Sequence, residues 1–274
     1  MSGALTAAVH ALMRDATERA ILPRWRQLAN HEIAAKETSG TLPDVVTIAD
    51  HEAEQILSEG LASLLPDAAI VGEEACAADP AVFDRLGNKL CWIVDPLDGT
   101  NNFAAGKPPF GVLVALAERG ETIAGWIYNC LSGRICHASR GGGAFLDGER
   151  ITARETGASP PIAANSLIYM QPERREAVRK AIQPHYTLVD IPRCAAEQYP
   201  RLVLGDNDVA IFERTLPWDH AAGALFVNEA GGKAARPDGR PYRVDEHARP
   251  GLIGAASERL WDEMAARLPP SPDA

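Results

Sequence analysis

Cysteine is scarce in this chain and unpatterned. The five residues (Cys76, Cys91, Cys130, Cys136 and Cys194) form no C-x-x-C pair and no zinc-ligand spacing. An odd number of thiols in a chain of 274 residues suits a reducing compartment. Long apolar runs are missing too. No stretch approaches transmembrane length, and Met1 to Ala20, carrying Arg14, Asp15, Glu18 and Arg19, lacks the unbroken apolar core of a signal peptide. The expectation is a cytoplasmic protein with no membrane partner. Positive charge is in deficit, with 27 basic against 37 acidic residues and a formal charge of −10. This argues against a nucleic-acid surface, which needs a basic stripe. It does not argue against an anionic substrate, because bound divalent cations reverse the local field. Internal repeats and low-complexity segments are absent. Gly141-Gly142-Gly143 has no P-loop lysine after it, so it reads as a tight strand entry or bulge.

What remains is an aliphatic-rich chain long enough to bury a full core as one large domain or two modest ones. A helical period runs from about Ala4 to Ala35, with Pro23 expected to interrupt or kink it. Lys36 to Pro43 reads as a mobile loop. Thr47 opens a second helix through Leu65, in a loose capping box with Asp50. Ala69–Val71 and Cys91–Val94 read as buried strands that each deliver acidic residues at their C-terminal end. Four β-rich segments follow: Val112–Ala117, Thr122–Tyr128, Arg134–Ala138 and Gly143–Leu146. Asp147-Gly148 is a hairpin turn signal. A shift to small residues and proline at Thr156–Pro161 marks a boundary between an N-terminal domain, 1–155, and a C-terminal domain, 156–274. Beyond it strands alternate with helices, over Ser166–Tyr169, Glu173–Ile182, Thr187–Ile191, Ala195–Leu204, Val209–Phe212, Asp219–Glu229, Leu252–Ala255 and Glu258–Leu268. The tail from Pro269 is expected to fray.

The most informative segment is Trp92-Ile93-Val94-Asp95-Pro96-Leu97-Asp98-Gly99-Thr100-Asn101-Asn102-Phe103. Proline cannot donate to a ladder, so the strand is expected to stop at Asp95. The following turn can aim the Asp95 and Asp98 carboxylates and the Leu97 carbonyl at one point, a set of hard oxygens suited to Mg2+. The same residues could instead form only an Asx turn. After Gly99, the amides of Gly99 and Thr100 would be free to face an anion, with phosphate the best candidate.

This segment resembles the phosphatase signature of the inositol monophosphatase family. Other blocks of that pattern recur in order: Asp44-Val45-Val46-Thr47-Ile48-Ala49-Asp50, Gly72-Glu73-Glu74, Trp218-Asp219-His220-Ala221-Ala222-Gly223 and Glu229-Ala230-Gly231-Gly232. Together they cover about Lys36 to Gly232. The resemblance implies an α+β chain folded as a layered α/β/α/β/α sandwich of the inositol monophosphatase and fructose-1,6-bisphosphatase type. It implies a lithium-sensitive phosphatase, commonly a homodimer, that acts on a small phosphorylated metabolite with two or three Mg2+ ions.

By the same resemblance, Asp95 is shared between ions. Glu73 and the Leu97 carbonyl complete one site, Asp98 and Asp219 complete a second, and Glu73 touches a third ion. Thr100, paired with Asp50, orients the attacking water. Asp219 can serve as a helix N-cap and face a metal at once. His220 is read as structural because carboxylate-rich Mg2+ sites rarely recruit imidazole. Lys36 stands where the family carries a lid lysine, although a loop lysine is more often simply solvated.

The resemblance thins at the substrate side, where Gly99 and Thr100 would meet phosphate. A small sugar-facing segment is replaced here by Arg193-Cys194-Ala195-Ala196-Glu197. Glu213 stands for the family's glutamate, with a spacing to Asp219 one residue short. Arg193 could recognise a second anionic group or simply form a salt bridge. Inositol monophosphate is therefore not a safe substrate. Histidinol-phosphate and fructose-1,6-bisphosphate phosphatases stay open as rivals, as does a regulatory binding protein on the same fold. A bisphosphate nucleotidase is disfavoured, since no base-binding insertion is visible.

Overall fold

The computed structural model describes residues 2–36 and 44–270. Residues 37–43, the side chain of Lys36 and the tail beyond Pro270 lie outside the described residues, so the loop and lid-lysine expectations are not addressed.

Helix α1 (Gly3–Ala16) starts at Ser2, whose hydroxyl accepts the Leu5 amide at 3.3 Å. It widens into a π turn at Thr17–Ile21 and then tightens into a 3-10 turn at Leu22–Arg24 that holds Pro23. The chain then leaves helical geometry, earlier than the period to Ala35 suggested. Strand β1 (Ile33–Lys36) pairs antiparallel with β2 (Asp44–Thr47). A short apolar run such as Ile33-Ala34-Ala35 carries no period of its own, and its partner across the hairpin decided its state. Helix α2 (Ile48–Leu64) begins as expected: the Thr47 hydroxyl accepts the Ala49 amide, and the Asp50 carboxylate accepts the Thr47 amide at 2.8 Å.

Next come β3 (Ala69–Gly72), α3 (Glu73–Ala78), β4 (Cys91–Asp98), α4 (Thr100–Ala104), β5 (Gly111–Glu118), β6 (Glu121–Asn129), β7 (Ile135–Ser139), β8 (Gly143–Leu146) and β9 (Glu149–Ile151). The seven strands β3 to β9 lie side by side in sequence order, antiparallel except for the β3–β4 pair. Asp147-Gly148 makes the β8–β9 turn, with both residues at positive φ. The glycine run before β8 is a turn whose Gly141 and Gly143 amides donate to the Glu229 carboxylate at 2.7 and 2.8 Å.

The second half contributes β10 (Ile162–Ser166), α5 (Pro172–Ile182), β11 (Thr187–Asp190), α6 (Ala195–Leu204), β12 (Val209–Phe212), α7 (Pro217–Glu229), β13 (Lys233–Ala235), β14 (Leu252–Ala255) and α8 (Glu258–Ala265). Its sheet runs β11-β10-β12-β14-β13, with β10 parallel to both neighbours. Strand β10 lies upstream of the expected Ser166–Tyr169, whose last three residues form a 3-10 turn. Alanine and asparagine carry little strand preference, so Ile162–Asn165 gave a weak signal.

Three apolar clusters reveal the layering. One joins α1 and α2 to the outer face of the seven-stranded sheet, through Trp92, Val94 and Trp126. A second fills the space between the sheets around α6 and α7, through Ile93, Tyr199 and Phe226. The third packs α5 and α8 on the far face of the five-stranded sheet, through Ile182, Ile253 and Trp261. The result is helix, sheet, helix, sheet, helix. Alternate residues of β4 enter different clusters, which is why Cys91–Val94 is apolar without a break.

Strand β4 corrects one expectation. It does not stop at Asp95 but resumes pairing at Asp98, opposite Gly111, after Asp95 opposite Leu113. Pro96 and Leu97 face a single residue of β5, so they form a bulge. A bulge leaves one residue out of the ladder, and the missing amide of proline costs nothing there.

Helix α7 lies against β4 to β7, and Gly125 of β6 permits that approach: a Cβ there would sit 2.7 Å from Ala222 Cα. Gly125→Val is expected to cost about 1–3 kcal/mol through forced separation of helix and sheet. Calorimetry would show this as a melting temperature lowered by several degrees, and an unchanged transition would contradict the packing argument.

Candidate active site

The bulge in β4 turns two side chains of one strand toward the same place. Asp95 and Asp98 are buried there, and Asp219, in the first turn of α7, comes to them from the other half of the chain. Carboxylate oxygens of the three lie within 4.8 Å of one another. All three line a cleft of about 140 Å3, together with Glu73 at the start of α3, Leu97 in the β4 bulge, and Gly99 and Thr100 just beyond that strand. Burial pushes the Asp98 and Asp219 carboxyls above the ordinary range, and the negative charge of Glu73 adds to both. Opposing this, the Ala196 amide at the start of α6 donates to Asp98 at 2.6 Å, and the Arg214 guanidinium favours ionised Asp219.

The Asx turn and the convergent cluster coexist. The Leu97 amide donates to the Asp95 carboxylate at 3.1 Å. The Leu97 carbonyl accepts the Thr100 hydroxyl at 2.8 Å, while the Asp50 carboxylate lies 3.0 Å from that same hydroxyl. Gly99, at φ 84°, stands at the head of α4, where a Cβ would press on the Pro109 carbonyl at 2.9 Å. The first amides of a helix have no partner within it. Asp50 is buried at the start of α2, and burial raises its carboxyl to about 7.

Buried polar groups hold this frame. Both ring nitrogens of His220 are engaged, Nδ1 with the Tyr199 hydroxyl at 2.7 Å and Nε2 with the Arg214 carbonyl at 2.9 Å. Burial lowers the imidazole to about 3, so His220 is neutral and anchors α7 to the preceding loop. Arg236 is wholly buried and donates to the Thr215 hydroxyl and to the Arg249, Gly251 and Glu246 carbonyls. Glu54 of α2 accepts the Glu74 and Ala75 amides at 2.8 Å each, fixing the start of α3.

On the substrate side Arg193, Cys194 and Ala195 all line the cleft. The Cys194 thiol is buried, and its proton points to the Asp98 carbonyl at 3.8 Å. Glu213 is the exception. It pairs with Arg174 at 3.1 Å and is not among the cleft residues; Arg214 is. Arg214, Glu54 and Tyr199 went unnoticed in the sequence, since no spacing rule marks them.

With this geometry in place, comparison with known proteins is informative. The model of the inositol monophosphatase family matches residues 4–270. The chain is 34% identical over 231 residues to an inositol-1-monophosphatase of Caulobacter vibrioides, covering 82% of this chain and 87% of that one. It is 31% identical over 212 residues to a fructose-1,6-bisphosphatase/inositol-1-monophosphatase of Thermotoga maritima, covering 77% of each. Its fold matches the crystal structure of the extragenic suppressor protein suhB from Bartonella henselae with a TM-score of 0.80 at 24% identity, over 97% of this chain and 98% of that one. The fold is a layered α+β sandwich with a carboxylate-lined cleft. The chain belongs to the inositol monophosphatase family.

Glu54 offers a titration test. Burial first, then Glu74 and Glu73, raise its carboxyl from 4.5 to about 7. The folded protein thus binds more protons than the unfolded chain, and stability falls as pH rises through that window. In chelator, the stability of Glu54→Gln minus that of the native protein should rise between pH 4.5 and 7, by roughly 2–3 kcal/mol. A pH-independent difference would show that Glu54 titrates normally.

Proposed function

We propose that this protein hydrolyses small phosphate monoesters, using Mg2+ held by Asp95, Asp98, Asp219, Glu73 and the Leu97 carbonyl, in two or three ions per site. The observation that carries this reading is the convergence of Asp95, Asp98 and Asp219 beside Thr100 and Asp50. Three carboxylates so close, two of them buried, suit a hard divalent cation: every donor is oxygen and the charges are uncompensated by one another. When bound, the cation would neutralise phosphate charge and lower the pKa of water.

The chain's own residues supply positioning. With ionised Asp50 accepting the Thr100 hydrogen, the Thr100 oxygen turns a lone pair toward the cleft and can accept a proton of the attacking water. That contact orients the water without requiring a strong base. The amides of Gly99 and Thr100 at the head of α4 can hold phosphate oxygens. Asp219 lies within range of the Arg214 charge. Asp95, Asp98, Leu97 and Phe212, all buried, form the inner wall of the cleft. Family resemblance further supports a homodimer and sensitivity to lithium.

Phosphate release from a monoester panel should vanish in EDTA and return with Mg2+; full activity in excess chelator would overturn the metal reading. Asp98→Asn should abolish turnover and retain the fold, because it removes one charge and leaves the shape. A near-native kcat would make Asp98 a turn residue only. Thr100→Ala should lower kcat more than KM if its task is to orient water in the transition state.

A further inference from the structure

Helix α3 has no cap of its own. Gly72 stands at its N-cap position without a side chain, and the first amides of a helix have no partner within it. The Glu54 carboxylate supplies the missing acceptors from another helix. Its Oε2 accepts the Glu74 amide and its Oε1 the Ala75 amide, both at 2.8 Å. Glu54 is 8% exposed and is not among the residues that line the cleft. Gly72 makes room for it. A Cβ there would overlap the Glu54 carboxylate, although φ −100° and ψ 155° are angles that any residue adopts.

The Glu74 amide belongs to the planar peptide that follows Glu73. Holding that amide fixes the direction in which Glu73, the first residue of α3, leaves the backbone to line the cleft. One turn earlier on α2, the Asp50 carboxylate lies 3.0 Å from the Thr100 hydroxyl. Residues four apart share one face of a helix. A single face of α2 therefore sets both Glu73 and Thr100, one through backbone amides and the other through a hydroxyl.

We propose that Glu54 is a positioning residue for the cation site: by capping α3 it aims Glu73, and so sets the affinity for the divalent ion. This rests on the metal-dependent reading above. Glu54 acts only through the backbone of α3. Removing a group that orients a metal ligand typically weakens metal binding by roughly 10–100-fold.

The test is Mn2+ binding to the resting protein, followed by electron paramagnetic resonance, together with the Mg2+ concentration for half-maximal phosphate release. Glu54→Asp keeps the charge and shortens the reach by one methylene. Gly72→Ala keeps Glu54 and displaces its carboxylate. We expect each to raise the Mn2+ dissociation constant and the Mg2+ midpoint by about tenfold or more. Saturating Mg2+ should bring kcat back to within a few-fold of native with substrate KM unchanged, a split that general loosening of the fold would not give. Glu54→Gln separates position from charge, since its amide oxygen is the one acceptor left for two donors. Weaker Mn2+ binding in Glu54→Gln alone would mean that Glu54 acts by its charge, which overturns the positioning role. Native Mn2+ affinity in both Glu54→Asp and Gly72→Ala overturns it as well. If Glu54→Asp fails to fold, Gly72→Ala decides alone; if both fail, an unaltered Mn2+ constant in Glu54→Gln overturns the proposal. No Mn2+ binding by the native protein at millimolar concentration overturns the metal reading beneath it.

Discussion

Asp95, Asp98 and Asp219 hold carboxylate oxygens within 4.8 Å of one another, and two unit charges at such a distance repel by roughly 3–4 kcal/mol at an effective dielectric of 20. Much of the surrounding architecture counters that repulsion. The Ala196 amide donates to Asp98, the Leu97 amide donates to Asp95, and the Arg214 guanidinium lowers the cost of ionised Asp219. Burial first, with the Glu73 charge added, still displaces the Asp98 and Asp219 carboxyls upward.

The two halves of the chain are tied together by the same requirement. Asp95 and Asp98 belong to the seven-stranded sheet, whereas Asp219 and Ala196 come from helices of the second half. Helices α6 and α7 lie between the sheets, with Tyr199, Trp218 and Phe226 in the shared cluster. Gly125 lets α7 settle close enough on β6 to deliver Asp219. His220 then fixes the loop before α7 through the Arg214 carbonyl, and Arg236 ties the same loop through the Thr215 hydroxyl to the Arg249 and Gly251 carbonyls, so the loop is set in place by groups that do no chemistry themselves. Buried donors that find carbonyl partners make such a loop rigid, because each broken bond would leave a polar group dry.

The readable parts of the sequence were those governed by local rules. The capping box at Thr47 and Asp50 follows from side chains that act on their own backbone, and the Asp147-Gly148 turn from two residue types that tolerate positive φ. The run Cys91–Val94 announced a strand covered on both faces. Errors fell where a distant partner ruled. Ile33–Lys36 is a strand only because Asp44–Thr47 lies beside it, and β4 passes Pro96 only because β5 tolerates a bulge. Glu213 is held by Arg174, a partner remote in sequence that no local pattern announces.

By itself the sequence determined the chemistry available: clustered carboxylates in a D-P-x-D-G-T turn, a second acidic helix start at Asp219, five unpaired thiols and a net negative charge. These are properties of residue type and short spacing, so no fold is needed to see them. Tertiary structure decided which groups meet. Asp219 joins Asp95 across more than a hundred residues, Asp50 reaches Thr100 from another helix, and Arg214 rather than Glu213 enters the cleft. The physical reason is that charge pairing and burial depend on distance in space. Distance in space is set by how α7 packs between two sheets, which no local pattern encodes.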